Sequence, residues 1–164
     1  MSSTSTNDSD LATDADWEKF WAAAKKINAP LTFLVEPTLT IEPDSRVAEK
    51  LWNFFSGFDD KAGRERWTQD LMIESRAQDP RWNYVVCYSR HSINFEGRQG
   101  IDWDVRTYNY KLKIGSASYQ VYAFRAGIFS LIGDGGFLNW AFIGRVLQRD
   151  PDSRRPRNIV FGNP

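Results

Sequence analysis

Asp102 and Asp104 stand two apart in Ile101-Asp102-Trp103-Asp104-Val105-Arg106. In an extended strand residues i, i+2 and i+4 share a face, so Arg106 joins the two carboxylates while Ile101, Trp103 and Val105 turn the other way. Their Cα atoms would lie about 6.5 to 7 Å apart. That separation suits an acid/base pair, with Arg106 as the electrostatic anchor for a substrate. His91 is the sole histidine, and imidazole is the side chain that titrates nearest neutral pH. Asp102, Asp104 and His91 are therefore the candidate catalytic residues.

Cys87, the only cysteine, is four residues before His91 and at even spacing along one run. A thiol within Tyr84-Val85-Val86-Cys87-Tyr88 is expected to be buried and inert. Gly133-Asp134-Gly135-Gly136 is glycine-rich but has neither the lysine nor the hydroxyl residue of a phosphate loop, and it leads into a strand where a helix N-terminus would be needed. It is expected to be a hairpin turn, with Asp134 offering a carboxylate at the loop end of the sheet and Asn139 and Trp140 an amide and an aromatic face. No metal-ligand spacing and no cofactor-binding motif occurs, so neither a metal nor a cofactor is implied.

The chain carries 7 Trp, 11 Phe and 6 Tyr. Aromatic faces stack on flat or sugar-like ligands when a few polar groups orient them. Trp103, Tyr108, Tyr110, Tyr119, Tyr122 and Trp140 fall on adjacent expected strands, with Gln120 and Arg125 among them. Trp17, Trp21, Trp52 and Trp67 are assigned to packing of helices on the sheet. The expected binding set is Asp102, Asp104, Arg106, Asp134, Asn139 and Trp140.

The elements that must position these residues follow from spacing. Residues 1 to 12 are almost devoid of apolar side chains and are expected to form a disordered polar tail. Residues 13 to 164 are expected to form one globular domain. Thr13 or Asp14 can cap a helix with Trp17, Phe20, Trp21, Ala24 and Ile27 on one stripe, ended by Pro30. Leu31 to Val35 and Thr38 to Glu42 are short β-prone runs. Asp44 or Ser45 starts a second helix with Val47, Leu51, Phe54 and Phe55 inward. Asp59 or Asp60 starts a third carrying Trp67, Leu71 and Met72, closed by Asp79-Pro80.

After Pro80 the pattern becomes strands: 82 to 89, 92 to 96, 101 to 113, 117 to 124, 127 to 132, 137 to 143 and 158 to 161, joined by short turns. Those turns imply antiparallel neighbours. The fold class is α+β: two or three N-terminal helices packed on a curved or partly closed antiparallel sheet of six to seven strands.

Lys plus Arg and Asp plus Glu both number 21, so no global basic field draws nucleic acid or anionic lipid. Arg154-Arg155-Pro156-Arg157 is a local candidate for an anion patch. With no apolar run of about 18 residues, no leader pattern and no possible intrachain disulfide, a cytoplasmic chain is expected, with neither membrane nor nucleic acid as partner. The expected function is a small cytoplasmic ligand-binding protein whose aromatic-polar cup accepts a small polar-aromatic or sugar-like ligand. The alternatives are a small enzyme using Asp102 and Asp104, and a protein-interaction module acting through either terminus.

Overall fold

The computed structural model describes residues 60–151 and 153–164. The polar tail, the helices expected to carry Trp17, Trp21 and Trp52, and the β-prone runs between residues 31 and 42 lie outside the described residues.

Helix α1 runs Asp60–Gln78. It ends where the residue before Pro80 is pushed out of the helical region, and Asp79 closes the turn by accepting the Arg81 N–H at 3.1 Å. Its buried stripe is Trp67, Thr68, Leu71, Met72 and Ser75, the spacing of one helical face. Thr68 donates its hydroxyl to the Phe137 carbonyl at 2.5 Å, and Arg76 donates to the Trp82 carbonyl at 2.6 Å, so both halves of the helix are tied to the sheet.

Eight strands follow: β1 Asn83–Cys87, β2 His91–Phe95, β3 Trp103–Lys111, β4 Ser116–Phe124, β5 Gly127–Leu131, β6 Trp140–Ile143, β7 Val146–Arg149 and β8 Arg157–Phe161. They form two four-stranded antiparallel sheets, in the orders β3-β4-β1-β6 and β2-β5-β8-β7. Helix and antiparallel sheet together make a coarse α+β arrangement. The expected single sheet of six to seven strands is corrected to two sheets with eight strands, and one helix lies among the described residues where two or three were expected.

The burial patterns explain the layering. Every residue of β1 and of β6 is buried, because helix α1 covers one face of these strands and the second sheet covers the other. The inter-sheet layer is aromatic: Phe95 stacks on Phe124 with centroids 3.9 Å apart, Phe124 meets Phe161 edge-on at 4.9 Å, and Trp140 stacks on Phe129 at 5.9 Å. On the opposite face of the first sheet, Trp67 of the helix packs against Tyr119 and Tyr110 at 4.9 and 5.7 Å.

Most of the short connections cross between sheets. Only β3–β4 and β7–β8 turn back within one sheet. The segment Gly133-Asp134-Gly135-Gly136, expected to close a hairpin, instead carries the chain from β5 in one sheet to β6 in the other, with Asn139 and Trp140 donating their N–H groups to the Gly136 carbonyl at 3.0 Å. Crossing so tightly needs close backbone approach. A Cβ on Gly127, where φ is +135°, would lie 2.5 Å from the Asn94 carbonyl oxygen. No helix among the described residues is long and apolar enough to cross a membrane.

Candidate functional site

Sheet registers decide which side chains meet. Across β3 and β4 the pairs Trp103 with Phe124, Val105 with Tyr122, and Thr107 with Gln120 share the face turned to the second sheet. The first residues of that face are apolar and covered. From Thr107 and Gln120 outward it is polar and exposed, because β3 and β4 are nine residues long and the strand opposite them, β2, has only five. The overhang makes a cleft of about 390 Å³, lined by Thr107, Ser118, Gln120 and Tyr122 from the first sheet and by residues 87 to 93 around the β1–β2 connection.

His91 sits at the head of this cleft as the first residue of β2. Its ring stacks on Phe129 at 5.1 Å and meets Tyr122 edge-on at 5.5 Å, which fixes its plane. Nδ1 donates to the Ser89 carbonyl at 2.7 Å. Nε2 therefore faces the cleft network, 2.8 Å from the Tyr122 hydroxyl and 3.2 Å from Gln120 Oε1. Tyr122 and Gln120 are also in direct hydrogen-bond contact through the same two oxygens. Burial, with a smaller contribution from Cys87, pushes the Tyr122 hydroxyl up to about 12, so it remains a phenol with one proton to give.

That count has a chemical consequence. When the imidazole is neutral and donates through Nδ1, the acceptors Nε2 and Gln120 Oε1 share the single Tyr122 proton. One acceptor is then left to take a hydroxyl proton from a bound molecule.

Cys87 lines the same cleft, but its Sγ donates to the Ser89 carbonyl at 3.3 Å, the same oxygen that receives His91 Nδ1. Thiol and imidazole are thus held by a common acceptor and not by each other. Burial raises the thiol above its ordinary value, which suppresses the thiolate a nucleophile needs.

A second cleft, about 570 Å³, opens at the other ends of β2 and β5. Asp102 lines it with Glu96, Arg125, Ile128, Leu147 and Val160. Two of its three charged groups are engaged, since Asp102 Oδ2 accepts the Arg98 N–H at 2.8 Å and the Arg125 guanidinium lies over the Trp82 ring at 4.6 Å, while Glu96 is exposed at the rim.

The remaining residues of the expected set are dispersed. Asp104 accepts the Val105 N–H at 2.9 Å and shares with exposed Arg106 the helix-side face of β3, opposite Ala123 and Val121. Trp140 is fully buried between the sheets beneath the guanidinium of Arg157, which stands 4.5 Å from its ring. Asn139 donates to the Gly135 carbonyl at 2.9 Å, and Asp134 is exposed on the connection between β5 and β6. Of the candidate residues, the structure brings His91 together with Tyr122 and Gln120, and it leaves Asp102 alone at the opposite end. No group of three or more His, Cys, Asp or Glu side chains that could hold a metal ion occurs among the described residues.

No family model, curated protein or solved structure matches the chain. Function must be argued from the site.

Ser118, which local spacing had not marked out, carried a usable signal, whereas Thr107 did not, since its strand alternation groups it with Trp103 and Val105. In Ser116-Ala117-Ser118-Tyr119-Gln120-Val121-Tyr122 every second residue is polar or hydroxylated, and the intervening ones are apolar or aromatic.

Proposed function

We propose that the chain is a ligand-binding protein that takes a small hydroxyl-rich, sugar-like molecule in the His91 cleft. The observation that carries this reading is the mutual contact of His91 Nε2, the Tyr122 hydroxyl and Gln120 Oε1, where a neutral imidazole gives two acceptors one phenolic proton and leaves an acceptor for a ligand hydroxyl beside the hydroxyls of Thr107 and Ser118. Alternating donors and acceptors beside an aromatic wall is the chemistry by which polyols are held. The aromatic wall is the Tyr122 ring with the His91 imidazole edge-on to it, while the Tyr88 ring lies on the helix side against Tyr119 and Arg64.

An enzyme using Asp102 and Asp104 with Arg106 as anchor has less support, since both carboxylates are occupied by backbone N–H groups. The His91 cleft holds no activated nucleophile beside the imidazole, and this favours binding over turnover.

The test is a titration of the protein with monosaccharides, followed by the amide and side-chain NMR signals of His91, Thr107 and Gln120. Saturable shifts confined to the cleft are expected. Gln120→Ala, an exposed position, should keep the folded spectrum and weaken binding by about tenfold, the scale of one or two lost hydrogen bonds. Shifts that instead gather around Asp102 and Arg125 would move the site to the other cleft, and an absence of shifts would remove the reading.

A further inference from the structure

The His91 cleft is electrostatically one-sided. Among the residues that line it, Arg90 carries a full positive charge and there is no Asp or Glu, although the chain as a whole is balanced at 21 of each sign. Several arginines elsewhere are engaged: Arg64 donates to the Tyr119 hydroxyl at 2.7 Å, Arg76 to the Trp82 carbonyl, Arg154 pairs with Asp150 at 3.5 Å, and Arg157 lies over Trp140. Arg90 is exposed, and among the described residues no ion pair or side-chain hydrogen bond engages its guanidinium.

Its backbone, by contrast, is held firmly. The Arg90 carbonyl accepts the N–H groups of both Ile132 and Gly133 at 2.8 Å, and Gly133 sits so close that a Cβ there would be 2.9 Å from the Arg90 nitrogen. The backbone thus holds Arg90 at the cleft rim, while its exposed guanidinium has no partner among the described residues and is free to meet an anion. Lys111 continues the same sign along the cleft-side face of β3, two positions beyond Asn109 and four beyond Thr107.

Resting on the sugar-like reading of this cleft, we propose that its ligand is anionic: a hydroxylated ring bearing a carboxylate or phosphate, with the ring hydroxyl at His91, Tyr122 and Gln120 and the anionic group on Arg90. Arg90 is then the residue that determines charge specificity. A guanidinium meets either oxyanion with two parallel N–H donors, so the shared chemistry is the oxyanion.

The experiment compares three pyranoses of like ring shape by calorimetric titration and NMR: glucose, glucuronate and glucose 6-phosphate. Both anions should bind the wild-type protein about tenfold or more tightly than glucose, the scale of a charge-assisted contact, and the advantage should shrink as salt is raised. Whichever of the two anions gains more identifies carboxylate or phosphate as the natural group. Arg90→Gln should lower both to the level of glucose measured on the same variant, and Arg90→Lys should restore most of the preference. Equal binding of all three sugars to the wild-type cleft, or a preference that persists in Arg90→Gln, would overturn the anion assignment and leave the sugar-like reading intact. If none of the three shifts the signals of His91 and Gln120, the cleft reading itself fails and the assignment falls with it.

Discussion

Replacing Trp140 with alanine separates a core role for this residue from a role in ligand contact. The indole is fully buried between the two sheets, stacked on Phe129 at 5.9 Å and tilted against Phe142 at 4.8 Å. Truncating a buried tryptophan costs about 3 to 5 kcal/mol, from lost transfer energy and from the void that incomplete relaxation leaves. Here the ring also faces the guanidinium of fully buried Arg157 at 4.5 Å, and a desolvated cation–π contact adds about 1 to 2 kcal/mol. The expected loss is therefore about 4 to 7 kcal/mol, a large share of the 5 to 15 kcal/mol that roughly spans domain stabilities. Urea unfolding followed by circular dichroism measures it. Trp140→Phe, which keeps an aromatic face for Arg157 and a smaller void, should lose much less and stay folded. A Trp140→Ala variant that loses less than about 1.5 kcal/mol while ligand affinity falls would refute the core assignment, because that is the behaviour of a side chain facing a cleft.

Two further outcomes concern stability. Glu74 is 3 % exposed, and burial first, then the charge of Asp70, raise its carboxyl above the ordinary glutamate value. The native state thus holds this proton more tightly than the unfolded chain, so the stability it contributes is complete below about pH 4.3 and is lost as pH rises through the raised native value. The difference in urea midpoint between Glu74→Gln and wild type should grow in favour of the variant over that rise, and a pH-independent difference would contradict the assignment. Gly144 has φ +147°, and a Cβ there would fall 2.1 Å from Asn83 Oδ1. Asn83 accepts the Arg145 N–H and donates to the Arg125 and Gly162 carbonyls, so Gly144→Ala should cost more than about 2 kcal/mol. Gly100→Ala, at φ +82° with open space around it, should cost only about 1 kcal/mol. Equal losses at the two sites would show that the Asn83 contact carries no weight.

The sequence pattern specified elements far better than it specified their partners. Helix α1 begins at Asp60, one of its two expected starts, and stops before Asp79-Pro80, and every strand except β7 lies within three residues of its expected bounds. Strand β7 escaped notice because Val146-Leu147-Gln148-Arg149 is four residues long, half-exposed at a sheet edge, and interrupted by an irregularity between Val146 and Gln148 that spoils its alternation. The single-sheet expectation failed for a different reason. A short glycine-bearing connection reverses the chain equally well within one sheet or between two, and nothing local to Ser89-Arg90 or Arg125-Ala126 distinguishes the two outcomes. The signal that does distinguish them is burial on both faces of β1 and β6, which requires a covering layer on each side.

The same logic explains why the acidic pair drew attention and the histidine cleft did not. Alternation in Asp102-Trp103-Asp104-Val105-Arg106 is local, and it can be read without knowing what lies across the sheet. The cleft is a property of three strands at once. On the helix side of β4, Ala117, Tyr119, Val121 and Ala123 are all buried, whereas on the other side burial stops at Tyr122 and leaves Gln120, Ser118 and Ser116 exposed. One strand thus has two faces with different extents of cover, because the helix side is shielded along the whole strand and the facing sheet ends at His91. Tyr122 and His91 stand at that boundary, one from each sheet, with their rings in the aromatic layer and their polar atoms at its edge. The polar atoms there are held by packing that the fold requires in any case, while Gln120, Thr107, Ser118 and Arg90 beside them are exposed and carry little stability. The position of the cleft is therefore tied to the core, and its selectivity resides in residues that can vary without disturbing it.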